Sequence, residues 1–398
     1  MKQYAIITAS YWGFTLTDGA LRMLVVLYFH QLGYSPLQIA MLFIFYEVFG
    51  VVTNLFGGYM AARLGLAATL ITGLFLQVGA LSMLLVDSAL MSVPYVMAAQ
   101  ALSGVAKDLS KMSAKSGVKL VVSENAEGKL YRWVAALTGS KNALKGLGFF
   151  MGGALLEFVG FHSAIALLAG GLAVIGCCSF LTLDRGLGRT SYKAKFSEIF
   201  SKSAPVNLLS AARLFLFGAR DVWFVVALPV YLQLELGWTG TGVGTLLAAW
   251  VMGYGVVQVL TPRISGLGRR HQPDGRTAVV WGAALFVTTL VLLLSTFMPT
   301  NAELTLILGL MFFGGVFAVN SSVHSYLIVS YAERESVSLD VGFYYMSNAV
   351  GRLVGTILSG IIYQFYGLEA CLLASAIFIL ISTLIAVKLP RGQRSGEK

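Results

Sequence analysis

Seven basic side chains, Arg22, Lys107, Lys111, Lys141, Lys145, Arg220 and Arg352, fall inside stretches of the chain that otherwise read as lipid-spanning. A cation near the bilayer centre costs on the order of 2.5–3.5 kcal/mol on insertion scales, so such residues face a cavity or a partner. The same stretches hold fewer acids, chiefly Asp18, Glu47, Asp108 and Asp221. Part of the missing negative charge is therefore expected to arrive as substrate. Lys107 and Lys111 are four residues apart, with Lys115 one turn on, and Lys141 and Lys145 repeat the spacing. Like charges at that spacing share a helix face and repel, which suggests a face that meets anions. A guanidinium grips phosphate-like oxygens through a planar fork while an ammonium acts as a point charge. Such a mixture suits a ligand with more than one anionic group, such as a carboxylate together with tetrahedral oxyanions.

The residues differ in how strongly they invite that reading. Lys107, Lys145, Arg220 and Arg352 lie near the centres of their spans and are read as lining a cavity, with a buried salt bridge to Asp108, Asp18 or Asp221 as the alternative. Lys115 and Arg213 are placed near cytoplasmic ends, where long side chains snorkel to the headgroups. Asp18 and Arg22 have the spacing to pair within one helix, whereas Arg220 is expected to reach an acid only through a neighbouring helix. Glu47 stands as the isolated acid of the set. It is a candidate for proton coupling, with structural ion pairing as the other reading. Asn320, Ser321 and His324 offer neutral hydrogen-bonding groups to a polar cavity, the histidine more as a satisfied donor than as a switch. Enzyme chemistry finds no support: the chain has no phosphate-binding glycine loop and no nucleophile triad or metal cluster. Cys177, Cys178 and Cys371 lie in apolar segments and suggest neither a disulfide framework nor a zinc site. No cofactor is expected.

These residues need long apolar elements to hold them. Of 398 residues 57% are hydrophobic and 12% charged, with mean hydropathy +0.79, against about 25% charged in soluble domains. A span needs roughly 20 mostly apolar residues. Twelve are predicted, at 5–28, 37–60, 66–86, 91–113, 133–158, 162–183, 206–233, 241–261, 277–298, 303–328, 340–366 and 369–388. The first is too long, and too polar at Asp18 and Arg22, to be a cleaved leader. Connections after the odd-numbered spans carry Asp87, Glu235, Glu303 or Glu369 at their edges and no Lys or Arg. Those on the other side carry Arg63, Lys119, Lys129, Arg132, Arg185, Arg189, Lys193, Lys195, Lys202, Arg263, Arg269, Arg270, Arg276 and Arg334. Positive loops stay cytoplasmic, so both termini are expected inside, in a multi-pass cytoplasmic membrane protein. The same bias accounts for much of the +10 net charge without a nucleic-acid partner.

The halves repeat. KGLGFFMGGALLEFVGF (145–161) and RLVGTILSGIIYQFYGL (352–368) align Lys145 with Arg352, Gly148 with Gly355, Gly153 with Gly360, Phe158 with Phe365 and Gly160 with Gly367. A weaker match joins Leu32-Gly33-Tyr34-Ser35 to Leu236-Gly237-Trp238-Thr239. We expect an all-α membrane protein with two pseudo-symmetric six-helix bundles at 1–183 and 206–390. A basic cytoplasmic linker at 184–205 and a tail at 391–398 complete the chain. Parallel halves of this kind, with sites near the bilayer midplane, are the arrangement of the major facilitator superfamily. Its loop signature G-x-x-x-D-R-x-G-R-K is present but altered in Gly58-Tyr59-Met60-Ala61-Ala62-Arg63-Leu64-Gly65-Leu66-Ala67, where Ala62 replaces the acid. Gly148-Phe149-Phe150-Met151-Gly152-Gly153 resembles the glycine-rich antiporter signature, with Phe149 where proline is usual.

A narrower resemblance rests on TLTDGALRMLVVLYFHQLGYSPLQIAMLFIFYEVFGVVTNLFGG (15–58), QALSGVAKDLSKMSAKS (100–116), GKLYRWVAALTGSKNALKGLGFF (128–150) and SAARLFLFGARDVWFVVALPVYL (210–232). These strings resemble the ArsJ-type organoarsenical efflux permeases of bacterial arsenic-resistance operons, over nearly the whole chain except the linker and the tail after Pro390. The resemblance implies export of 1-arseno-3-phosphoglycerate, made by a partner glyceraldehyde-3-phosphate dehydrogenase, by a permease expected to act as a monomer. A phosphate or organic-phosphate exchanger of the same fold is the alternative, and a non-transporting anion receptor a second one.

Overall fold

The computed structural model describes residues 2–34, 42–121, 127–184, 186–188, 203–238, 240–264, 272–297, 302–333 and 336–391. Most of the expected linker, the tail from residue 392 and the loop cations Arg185, Arg189, Lys193, Lys195, Lys202, Arg269, Arg270 and Arg334 lie outside the described residues. Among the described residues the regular elements are helical: α1 Lys2–Gln31, α2 Ile44–Leu64, α3 Leu66–Met83, α4 Val93–Val121, α5 Glu127–Val159, α6 Phe161–Thr182, α7 Ala204–Phe224, α8 Ala227–Leu234, α9 Gly240–Ile264, α10 Gly275–Ser295, α11 Ala302–Tyr331 and α12 Val337–Ala386, with one 3-10 turn at Ser88–Leu90. The expected spans map onto them in order. The seventh span is divided between α7 and α8, and the last two are joined in α12.

Local chemistry sets the ends. Pro205 occupies the first turn of α7, where its missing N–H would have no helical partner anyway. Asp274 caps α10 by accepting from the Thr277 N–H, while the Thr277 hydroxyl accepts from the Asp274 N–H, a reciprocal cap that satisfies two otherwise unpaired donors. The apolar pattern predicts one continuous span at 206–233, and the structure interrupts it at 225–226. Its cause is Pro229, which offers no N–H to the Val225 carbonyl and crowds it. The Ala227 N–H donates instead to Ser359 Oγ at 3.0 Å, which meets the requirement that every backbone group at membrane depth be satisfied inside the protein. Gly65, Gly160 and Gly367 carry φ of 92°, 77° and 77°, left-handed turns that let one helix follow another directly.

Seven described segments are long and apolar enough on their own to cross a bilayer: Leu66–Met83, Phe161–Thr182, Ala204–Leu232, Gly242–Arg263, Gly275–Ser295, Glu303–Tyr331 and Val337–Ala386. The long helices outside that group are α1, α2, α4 and α5. They carry Asp18, Arg22, Glu47, Lys107, Asp108, Lys111, Lys141 and Lys145. A helix with such residues crosses lipid only when its charged face is turned to other protein. Accordingly α4 packs along α1, α2 and α3.

Contacts divide the chain into two compact units. The first comprises 1–123, 140–201 and 332–346, and the second 124–139, 202–331 and 347–398. In the first unit α1 crosses α5 almost backbone to backbone: a Cβ on Gly148 would lie 2.5 Å from the Leu16 carbonyl oxygen, and one on Gly19 would lie 2.7 Å from that of Lys145. In the second, a Cβ on Gly355 would lie 2.6 Å from the Gly218 carbonyl oxygen and 3.1 Å from Asp221 Cβ. The alignment of Gly148 with Gly355 thus has a steric cause in both units. Gly355→Val is expected to destabilise the protein by about 1–3 kcal/mol through overpacking. Gly360→Ala, where a Cβ meets nothing within 4 Å, should leave the unfolding temperature of the detergent-solubilised protein unchanged. Equal unfolding temperatures for both variants would remove the steric reading of the repeat.

Candidate functional site

In the first unit the close α1/α5 crossing sets Asp18 beside Lys145, with Oδ2 and Nζ 3.9 Å apart. The other carboxylate oxygen, Oδ1, accepts from the Tyr46 hydroxyl at 2.8 Å. Tyr46 lies on α2, next to Glu47, whose Oε1 is 3.4 Å from Arg22 Nη2. Across α4, Asp108 is buried and takes Lys111 Nζ at 2.5 Å on Oδ1 and Lys107 Nζ at 3.8 Å on Oδ2. The Lys107 ammonium also sits 3.8 Å from the centre of the Tyr46 ring, the Arg22 guanidinium 4.6 Å from the same centre, and Lys111 Nζ 4.6 Å from that of Tyr345. Lys141 is half-buried one turn before Lys145.

In the second unit Asp221 is fully buried and holds two arginines. Arg220 Nη2 is 2.5 Å from Oδ1, and Arg352 Nε is 3.1 Å from Oδ2. The pair Asp221 and Arg352 reproduces Asp18 and Lys145 on the aligned helices, so the repeat extends from glycines to ion pairs. Arg213, two turns before Arg220, donates to Asn348 Oδ1 at 2.9 Å and to the Ser321 carbonyl and hydroxyl at 3.2 Å each. Its guanidinium lies 3.9 Å from the centre of the Phe217 ring, and that of Arg220 lies 4.9 Å from it. Ser321 is further tied to Tyr254 at 2.9 Å, and Tyr254 to Gln258 at 2.8 Å. Asn320 and His324 are buried on α11, and Asn320 Oδ1 and His324 Nδ1 have no hydrogen-bond partner among the described residues.

Several sequence expectations need correction. Asp18 and Arg22 do not pair within α1, because the α5 crossing offers Lys145 to the one and α2 offers Glu47 to the other. Glu47 is accordingly not isolated. Arg220 does reach its neighbour in sequence, since its long side chain folds back onto a carboxylate already oriented by Arg352. Lys115 and Arg213 do not snorkel: they are 2% and 3% exposed. The reason is length, for α4 runs eight residues past the expected span end at 113, and Arg213 lies in the middle of α7. The spacing argument did bring Lys107 and Lys111 together, on Asp108. Tyr46 and the partners of Arg213 escaped it, because residue type alone does not mark an aromatic ring as a seat for cations.

The altered loop signature also finds a physical basis. Ala62, where the signature has its acid, packs with Leu339 in an apolar contact. Arg63 lies 5.5 Å from the centre of the Tyr59 ring. A Cβ on Gly58 would meet the Ser338 carbonyl oxygen and, at 3.0 Å, Gly342 Cα. The family model for the Major Facilitator Superfamily matches residues 7–265 and 209–398. The chain belongs to the major facilitator superfamily. Solved structures agree at the level of fold: the human organic anion transporter MFSD10 (16% identity, TM-score 0.74, 96% of this chain and 98% of that one), the Major Facilitator Superfamily transporter FucP in the outward conformation (12%, 0.76, 98% and 99%), and an outward-facing bacterial homologue of the iron transporter ferroportin (14%, 0.74, 96% and 98%). A comparison with curated protein sequences returns no match. As a member of the major facilitator superfamily the chain is a multi-pass membrane protein of the transporter fold.

Proposed function

We propose that this transporter exports a multiply charged organic oxyanion, 1-arseno-3-phosphoglycerate, across the cytoplasmic membrane, with both termini cytoplasmic and a glyceraldehyde-3-phosphate dehydrogenase supplying the substrate. The observation that carries the reading is the charge balance of the buried clusters. Arg22, Lys107, Lys111, Lys145, Arg220 and Arg352 share four carboxylates, Asp18, Glu47, Asp108 and Asp221. The surplus is positive in each unit, and an anionic ligand offsets it. Arsenic in the ester is an oxyanion with no need of thiols, which accords with a site built from Lys and Arg. An organic-phosphate exchanger draws on the same balance. The two readings part when everted vesicles are offered arsenate with triose phosphate, NAD and the dehydrogenase. Arsenic uptake that depends on the dehydrogenase supports the arsenical reading. Uptake of organic phosphates alone supports the exchanger, and uptake of neither removes both.

Export against a gradient needs a group whose charge differs between facing states. Glu47, 28% exposed and paired with Arg22, is proposed for that role: ionised Glu47 holds Arg22 in the position from which it meets the substrate, protonation from outside lets Arg22 leave that position and so loosens the substrate, and deprotonation inside restores the pair. Glu47→Gln is expected to abolish uptake driven by a pH gradient in everted vesicles while sparing exchange of substrate across both faces. Loss of both activities together assigns Glu47 to structure instead.

A further inference from the structure

We propose that Tyr46 is a positioning residue for the anion site, a neutral seat that fixes the spacing of Lys107 and Arg22 without cancelling their charge. The proposal rests on the anion-transport reading and extends it to specificity. Three contacts converge on this side chain. Its ring centre lies 3.8 Å from Lys107 Nζ and 4.6 Å from the Arg22 guanidinium carbon, and its hydroxyl donates to Asp18, which pairs with Lys145. Behind it, a Cβ on Gly104 would fall 2.7 Å from the Tyr46 carbonyl oxygen, so α4 clamps the backbone from which the ring projects. One turn on, a Cβ on Gly50 would lie 3.0 Å from Asp108 Oδ2 and 3.9 Å from Lys107 Nζ. The α2/α4 crossing therefore fixes ring and ammonium together. Tyr46 itself is 2% exposed.

The physical distinction is between two ways of stabilising a buried cation. A carboxylate neutralises it. An aromatic face attracts it through a quadrupole and leaves its net charge intact. Arg22 and Lys107 have both kinds of partner, and the ring is common to the two. It sets the distance between them, which a ligand with two anionic groups has to match and a single phosphate does not. Tyr46 thereby favours two-headed anions over one-headed ones.

The test uses the full chain in lipid nanodiscs, with 3-phosphoglycerate as a stable two-headed probe and inorganic phosphate as the one-headed one, read by titration calorimetry. Tyr46→Phe keeps the ring and should bind 3-phosphoglycerate within a few-fold of wild type. Tyr46→Leu should bind it about tenfold more weakly, the loss of roughly one desolvated cation–ring contact, with inorganic phosphate little affected. A structural defect would weaken both probes alike, and equal weakening overturns the proposal. Should Tyr46→Leu not fold, progressively fluorinated phenylalanines at position 46 keep the shape and weaken the quadrupole. Affinity that does not fall along that series also overturns it. Amine labelling of Lys107 separates this proposal from the transport reading. If wild type binds neither probe the transport reading fails, yet Tyr46→Leu should still label Lys107 faster than Tyr46→Phe. Equal labelling rates in the two variants reject the seat itself.

Discussion

Asp221→Asn is expected to cost the protein about 3–5 kcal/mol, the effect of removing one partner of a buried charge pair. Asp221 has no exposed surface and gives one oxygen to Arg220 and the other to Arg352. The amide keeps the shape but drops the charge, so two guanidiniums are left side by side in a site that water does not reach freely. A loss of that size shows as poor membrane insertion, or as a lowered unfolding temperature of the detergent-solubilised protein. Partial recovery on adding a dianion is a further expected result, because a ligand that supplies the missing charge stabilises the state it binds. An Asp221→Asn protein that expresses and unfolds like wild type would show that the arginines hold their places without it.

The second large effect concerns Lys145 and Arg352. Each pairs with the acid of an aligned helix and each precedes by three residues the glycine at which that helix is crossed closely. Alanine at either position should weaken substrate binding by about 2–5 kcal/mol, since anion and acid both lose a buried counter-charge. The two sites differ in tightness: Lys145 stands 3.9 Å from Asp18, and Arg352 stands 3.1 Å from Asp221. Arg352→Lys is expected to restore only part of the affinity, because an ammonium cannot reproduce the fork of a guanidinium. Either alanine variant that inserts normally and transports at the wild-type rate is excluded as a ligand.

Much of this arrangement was legible in the chain. The aligned segments ending at Gly160 and Gly367 could be read as a repeat, and the misplaced charges marked where α1, α2, α4, α5, α7 and α12 had to be protected from lipid. Pairings were harder to foresee. Which acid meets which cation depends on how helices cross, and the crossings are set by glycines such as Gly19 and Gly218 that look ordinary in an apolar sequence. Sequence spacing predicts neighbours on one helix, so Lys107, Asp108 and Lys111 were readable as a group, while Arg22 with Glu47 was not. The role of Tyr46 depends on the orientation of a ring, and a string of letters carries no orientation. The break before Pro229 could have been read, since a proline inside the otherwise continuous span 206–233 has a known effect on the preceding turn.

Gly160 and Gly367 have a mechanical consequence. At each, a single left-handed residue is the whole joint between two consecutive long helices. A joint of one residue has no slack: it lets the two rods tilt against each other but gives neither any travel along its own axis. On the proposed anion role of Lys145 and Arg352, axial thrust on either would be carried through the joint into the following helix rather than absorbed by a loop. A side chain at either joint would add backbone strain of about 1–3 kcal/mol, and a longer connection would act as a slipping clutch between the two helices.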